Sequence, residues 1–283
     1  MTAAALPLPR WKEPSILPGF GPAMGFTLAY LSLFVLIPLA ALITRPWEHG
    51  LDGVLHTVTE PRVLAALRLS FVTALGAAAL NAVMGVLVAW ALTRYEFPGR
   101  RLLDAAVDLP FALPTAVAGI ALAAIYAPNG WVGALLAPLG IKVAYTPLGV
   151  FIALVAVGLP FVVRSVQPVL QDLDAELEEA ALTLGANPLQ RVRRVVLPVL
   201  APAVITGFSL AFARAVGEYG SVIFIAGNMP MRSEIAPLLI IIKLEQYDYA
   251  GAATVGLAML VLSFAGLIVI NLGQLALARR GRK

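Results

Sequence analysis

The sequence predicts an all-α membrane protein of about six transmembrane helices, and three observations carry that reading. The chain is 60% hydrophobic and only 13% charged over 283 residues, whereas a soluble globular chain carries roughly 25% charge. A soluble fold of this length could not hide so much apolar surface, because surface-to-volume scaling limits what one core buries. The apolar residues also fall in long uninterrupted runs, each near the roughly 20 residues that a bilayer demands. Lipid offers no partner to a free backbone N–H or C=O, so each run must be helical.

The elements follow in order. Residues 1–20 read as an irregular cytoplasmic segment, interrupted by Pro7, Pro9, Pro14 and Pro18. The first apolar run, 21–43, exceeds the roughly 7–15 residues of a signal-peptide core and reads as an uncleaved helix. Further runs lie at 69–93, 109–127, 146–163, 204–226 and 251–278, so that 21–278 form one transmembrane domain ahead of a basic tail, 279–283. Pro110 and Pro114 predict a kink in the third run, tolerated where helices pack or line a cavity. Gly76, Gly85, Gly207, Gly217, Gly220, Gly251 and Gly256 allow close helix approach.

Charge sets the orientation. Six spans put both termini on one side. The segments then assigned to the cytoplasm hold Arg10, Lys12, Arg94, Arg100, Arg101, Arg164, Arg191, Arg193, Arg194, Arg279, Arg280, Arg282 and Lys283. The outer segments hold only Arg45, Arg62, Arg68, Lys142, Arg232 and Lys243. That asymmetry predicts N-in, C-in insertion, and it accounts for the net charge of +4 without nucleic-acid binding. The absence of cysteine excludes disulfides and thiolate chemistry. His49 and His56, seven residues apart in an outer loop, do not form a metal-ligand pattern.

The connection at about 164–203 is unlike the others. Asp172, Asp174, Glu176, Glu178 and Glu179 open a short helix, where acids complement the macrodipole. Gly185 supplies a left-handed stop. Asn187 and Pro188 suit the cap and first position of a second helix, carrying Arg191, Arg193 and Arg194 and ended by Pro198. Physics alone leaves two uses open for such a hairpin, rest on the membrane surface or docking to a protein.

Glu179-Ala180-Ala181, then Gly185 after three residues, Val195 after nine more and Leu197-Pro198 after one resemble the E-A-A-x3-G-x9-I-x-L-P loop of bacterial ABC importer permeases. The one departure is Val195 for Ile. The resemblance implies a type I ABC importer permease (MetI-like) fold, with the hairpin as the coupling helix of a separate ATPase. None of Lys12, Lys142, Lys243 and Lys283 follows a glycine, so the Gly-Lys-Ser/Thr of a P-loop is missing. ATP and Mg therefore belong to the partner, and no cofactor or catalytic residue is expected in this chain.

Two stretches narrow the family. Residues 108–119, with Asp108, Pro110, Pro114, Thr115 and Gly119, resemble the third-span signature of sulfate and molybdate permeases. Residues 212–220 and 224–228 resemble their fifth-span signature. Residues 94–100 and 163–170 resemble the sulfate branch, specifically the T-type permease of the sulfate/thiosulfate family. That resemblance implies a W-type permease paralogue as dimer partner, two ATPase subunits, a periplasmic sulfate/thiosulfate-binding protein and a bacterial inner-membrane location. Molybdate or tungstate is the alternative cargo.

Arg214 and Glu218, four apart within the fifth run, are able to pair. An intramembrane charge suggests function by default. The pair reads either as a packing device or as part of an anion path with Pro110, Pro114 and Thr115. Two other classes fit less well. An intramembrane enzyme needs a serine and a histidine within reach, and neither histidine lies in a span. An ATP-independent secondary carrier commonly shows repeated halves, and none is evident.

Overall fold

The computed structural model describes residues 19–280. Residues 1–18 and 281–283 lie outside it, and with them the N-terminal prolines, Arg10, Lys12, Arg282 and Lys283. Among the described residues, six helices are long and apolar enough to cross a membrane: Phe20–Glu48, Pro61–Arg94, Thr115–Leu139, Pro147–Gln171, Pro188–Val216 and Tyr249–Gln274. They are called the first to sixth spans below.

The second, fourth and fifth spans form the centre. Their backbones approach where side chains are smallest, which is how helices gain packing without a hydrophobic driving force. A Cβ on Gly85 would stand 2.7 Å from the Val162 side chain, and one on Gly207 would stand 2.8 Å from the Val162 Cα. Ala66, Ser70, Thr73, Ala77, Asn81, Gly85, Ala89 and Leu92 make the buried stripe of the second span, recurring every three or four residues as a helical face requires. The Asn81 amide donates to the Val155 carbonyl at 3.1 Å. The first span is the opposite case, and Phe20–Leu31 and Ile37–Thr44 bury no residue. The sixth span packs on the fifth, on the end of the first and on the helix Ala236–Glu245.

The structure departs from the expected kink in the third run. The helix is broken there: Leu109–Ala112 is a separate turn, Leu113 and Pro114 are extended, and a new helix starts at Thr115. Pro114 has no N–H to continue the ladder and holds Leu113 out of the helical region, so a clean restart replaces a bend.

The fifth span also differs from expectation. Helix runs from Pro188 to Val216, so Pro198 does not end it. A wide π turn at Val192–Val196 precedes that proline, and the Leu197 N–H bonds the Val192 carbonyl five residues back. A proline ring would otherwise collide with the carbonyl four residues earlier, and the widened turn makes room. Pro38 repeats the device after the π turn Ser32–Leu36. At its far end the helix stops at Val216 rather than 226, and Glu218 lies in the turn beyond it. The long connection is correspondingly shorter, since the fourth span continues to Gln171.

Candidate functional site

Two places draw the sequence motifs together. The first is the hairpin between the fourth and fifth spans. Asp174 caps the helix Ala175–Thr183 by accepting from the Glu176 N–H at 3.0 Å. Gly185 sits at φ +79 with open space around its Cβ position. Asn187 and Gln190 then make a reciprocal capping box, at 2.8 and 2.9 Å, with Pro188 in the first turn. Both helix ends are thus satisfied locally, so the hairpin keeps its shape while standing clear of the bundle. Leu184 is 88% exposed and Leu189 75%, two apolar side chains flanking the Gly185 turn. Glu179, Ala180, Gly185, Leu197 and Pro198 are all exposed, and Ala181 is half-buried.

The residue that anchors the hairpin is Glu178, next to the Glu179 of the motif. Its carboxylate accepts from Arg94 at the end of the second span, at 2.5 Å, and faces Arg191 of the hairpin's second helix at 3.5 Å. Arg94 also lies over the Trp90 ring, 5.6 Å from its centroid. A second arginine ties the neighbouring elements. Arg164 of the fourth span donates to both carboxylate oxygens of Asp108, to the carboxylate and carbonyl of Asp104, and to Gln167. Asp104 belongs to the helix Arg100–Val107 and Asp108 to the turn before Leu109–Ala112. The connection ahead of the broken third span is thereby fixed to the same end of the bundle. Sequence spacing could not disclose the pairs Arg94–Glu178, Arg164–Asp108 and Arg164–Asp104, because their partners lie 56 to 84 positions apart. Glu178→Gln is expected to loosen the hairpin by about 1.5–3 kcal/mol, the worth of charged hydrogen bonds. Hydrogen exchange of the 175–183 amides should accelerate accordingly; unchanged exchange would rule the anchor out.

The second place joins the two signature stretches. The break at Pro114 starts the third span against the turn 217–221 that ends the fifth. A Cβ on Gly220 would fall 2.2 Å from Thr115 Oγ1, and one on Gly119 would fall 2.3 Å from the Ser221 carbonyl oxygen. Glu218, 2% exposed, accepts from the Ser221 N–H and hydroxyl, each at 2.9 Å. Its other oxygen meets Arg214. Thr115, Glu218 and Arg214 therefore share one junction with Pro114. Pro110 does not join them: its short helix packs on the fourth span, where Phe111 meets Phe161 edge-on at 5.1 Å.

Comparison with known proteins bears on both places. The family described as "Binding-protein-dependent transport system inner membrane component" matches residues 81–283. A sulfate transport system permease protein CysT from Salmonella typhimurium is 47% identical over 265 residues, 94% of this chain and 96% of the relative. One from Synechocystis is 50% identical, covering 88% of this chain and 87% of the relative. The probable counterpart of Nephroselmis olivacea is 51% identical over 88% of each. Among solved structures, a bacterial ABC transporter involved in the import of the acidic polysaccharide alginate superposes with a TM-score of 0.75 at 14% identity. That match covers 90% of this chain and 94% of the other, and it concerns the fold alone.

Proposed function

Because the chain belongs to the binding-protein-dependent transport inner membrane components, among the CysT-type sulfate permeases, we propose that it is the membrane-spanning permease subunit of an ATP-driven sulfate importer. It is a multi-pass inner membrane protein with no assigned chemistry of its own. One observation carries the mechanism. The hairpin has both helix starts capped by side chains, is pinned through Glu178 and is led by exposed leucines, which is the form of a rigid lever offered to a partner.

In this reading the hairpin end faces the cytoplasm, N-in and C-in, in keeping with the arginines gathered there. Glu179, Ala180, Ala181, Gly185, Leu197 and Pro198 form the part gripped by a separate ATPase dimer that binds ATP and Mg. A periplasmic binding protein delivers sulfate or thiosulfate to the other end. A second permease chain, a W-type paralogue, completes the path. Closure of the ATPases moves the hairpin and rocks the spans as rigid bodies between inward-open and outward-open states. Pro110, Pro114, Thr115, Arg214 and Glu218 are the candidates for the proposed passage, the last four meeting at one junction. Arg214 lends positive potential to the anion, and a path fed by a binding protein needs no deep trap that would slow release.

The test is uptake of labelled sulfate by liposomes holding the full complex, driven by ATP and not by an ion gradient. Gly185→Val places a β-branched residue in left-handed backbone, at a cost of about 1–2 kcal/mol. It is expected to lower uptake at least tenfold with normal membrane insertion. Gly185→Asn, better suited to that conformation, should retain most activity. A valine variant that transports like the parent would remove the coupling role.

A further inference from the structure

The second span carries three arginines. Arg62 forms a two-toothed pair with Glu234, at 2.8 and 2.7 Å, and Arg94 meets Glu178. Arg68 is exposed, and among the described residues it has neither an ion pair nor a hydrogen bond. It stands directly before the apolar stretch that opens at Leu69, roughly 10 Å along the axis from Pro61 at 1.5 Å per residue. An arginine at the edge of the hydrocarbon extends toward the phosphate level, and without a protein carboxylate it needs an anion from elsewhere.

Beside Arg68 lies a groove of about 680 Å³. Leu67 and Phe71 of the second span, Val58 of the helix Gly50–Thr59, and Val261 and Leu262 of the sixth span form its walls. Thr254, also in the lining, turns its hydroxyl back to the Ala250 carbonyl at 2.8 Å. Among the described residues, Arg68 is the single charged one lining the groove. An acyl chain gains little by leaving other lipid tails for such walls, so selectivity must come from the charge. The planar guanidinium fits a phosphate through two parallel hydrogen bonds.

We propose that this groove is a binding site for one anionic phospholipid, its phosphate on the Arg68 guanidinium and an acyl chain along Leu67, Phe71 and Val261. The site holds whatever the transported anion is. It is tested by placing the full chain in bilayers of equal parts dioleoyl phosphatidylglycerol and dioleoyl phosphatidylcholine, extracting it in mild detergent and weighing retained lipids by native mass spectrometry. The parent chain should keep phosphatidylglycerol over phosphatidylcholine about fivefold, the ratio that one basic residue supplies against an anionic surface. Arg68→Gln should bring the ratio to about one. Val261→Trp, which fills the groove and leaves the arginine, should lose the retained lipid. A preference that survives Arg68→Gln overturns the proposal. So does disulfide cross-linking of Val261→Cys to an introduced cysteine on a second permease chain without retained lipid, since the groove would then seat protein.

Discussion

Arg214→Ala is expected to destabilise the folded chain by about 3 kcal/mol, near the lower end of what breaking a buried ion pair costs. The reason is Glu218, whose side chain is 1% exposed while that of Arg214 is 36% exposed. Removing the arginine strands a carboxylate that water cannot reach. Two donors from Ser221 remain, which keeps the loss from the top of the range. Arg214→Lys restores the charge without the planar fork and should lose less than half as much. Arg214→Ala combined with Glu218→Gln should be more stable than Arg214→Ala alone, because the uncompensated charge is gone. The check is the thermal midpoint of the purified chain in detergent, read beside sulfate uptake. A midpoint that does not move for Arg214→Ala would refute the stabilising role. Uptake that falls with an unmoved midpoint would assign the arginine to the anion instead.

Gly119→Ala should be nearly as severe, though it adds a single methyl group. That carbon would lie 2.3 Å from the Ser221 carbonyl oxygen and 2.8 Å from its Cα. Ser221 is wholly buried, and backbone does not step aside as a flexible side chain does. Overpacking of this kind costs about 1–3 kcal/mol, and it pushes apart the two segments that meet at the Pro114 break. Uptake should fall more than insertion. Gly217→Ala is the control in the same turn: its Cβ would meet nothing within 4 Å, and the change should stay within about 0.5 kcal/mol. Equal behaviour of the two variants would mean that the close approach at Gly119 is not needed.

The hairpin was legible because its signals are local. Acids, Gly185, Asn187 and Pro188 each act within a few residues of themselves, and the structure shows the caps that they imply. The anchoring was not legible, since Glu178 and Glu179 are the same residue type and only the approach of Arg94 and Arg191 distinguishes them. The course of the fifth helix is hidden for a related reason. Pro198 reads as a stop in sequence, and it is tolerated because the preceding turn widens inside a helix already held by its neighbours. The helix Ala236–Glu245 carries no signal of a span, because ten residues, two of them charged, are too few to cross a bilayer.

The sequence by itself determined that this chain lives in lipid, that it crosses about six times, and that it bears a capped hairpin with the marks of an importer permease. Those properties follow from composition, run length and neighbouring residues, which act without reference to the rest of the fold. Only the tertiary structure decided that Thr115 meets Gly220, that Gly119 lies on Ser221, and which carboxylate answers which arginine. Contacts between residues a hundred positions apart depend on how helices cross, and crossing is settled by the packing of small side chains and the satisfaction of buried charge together.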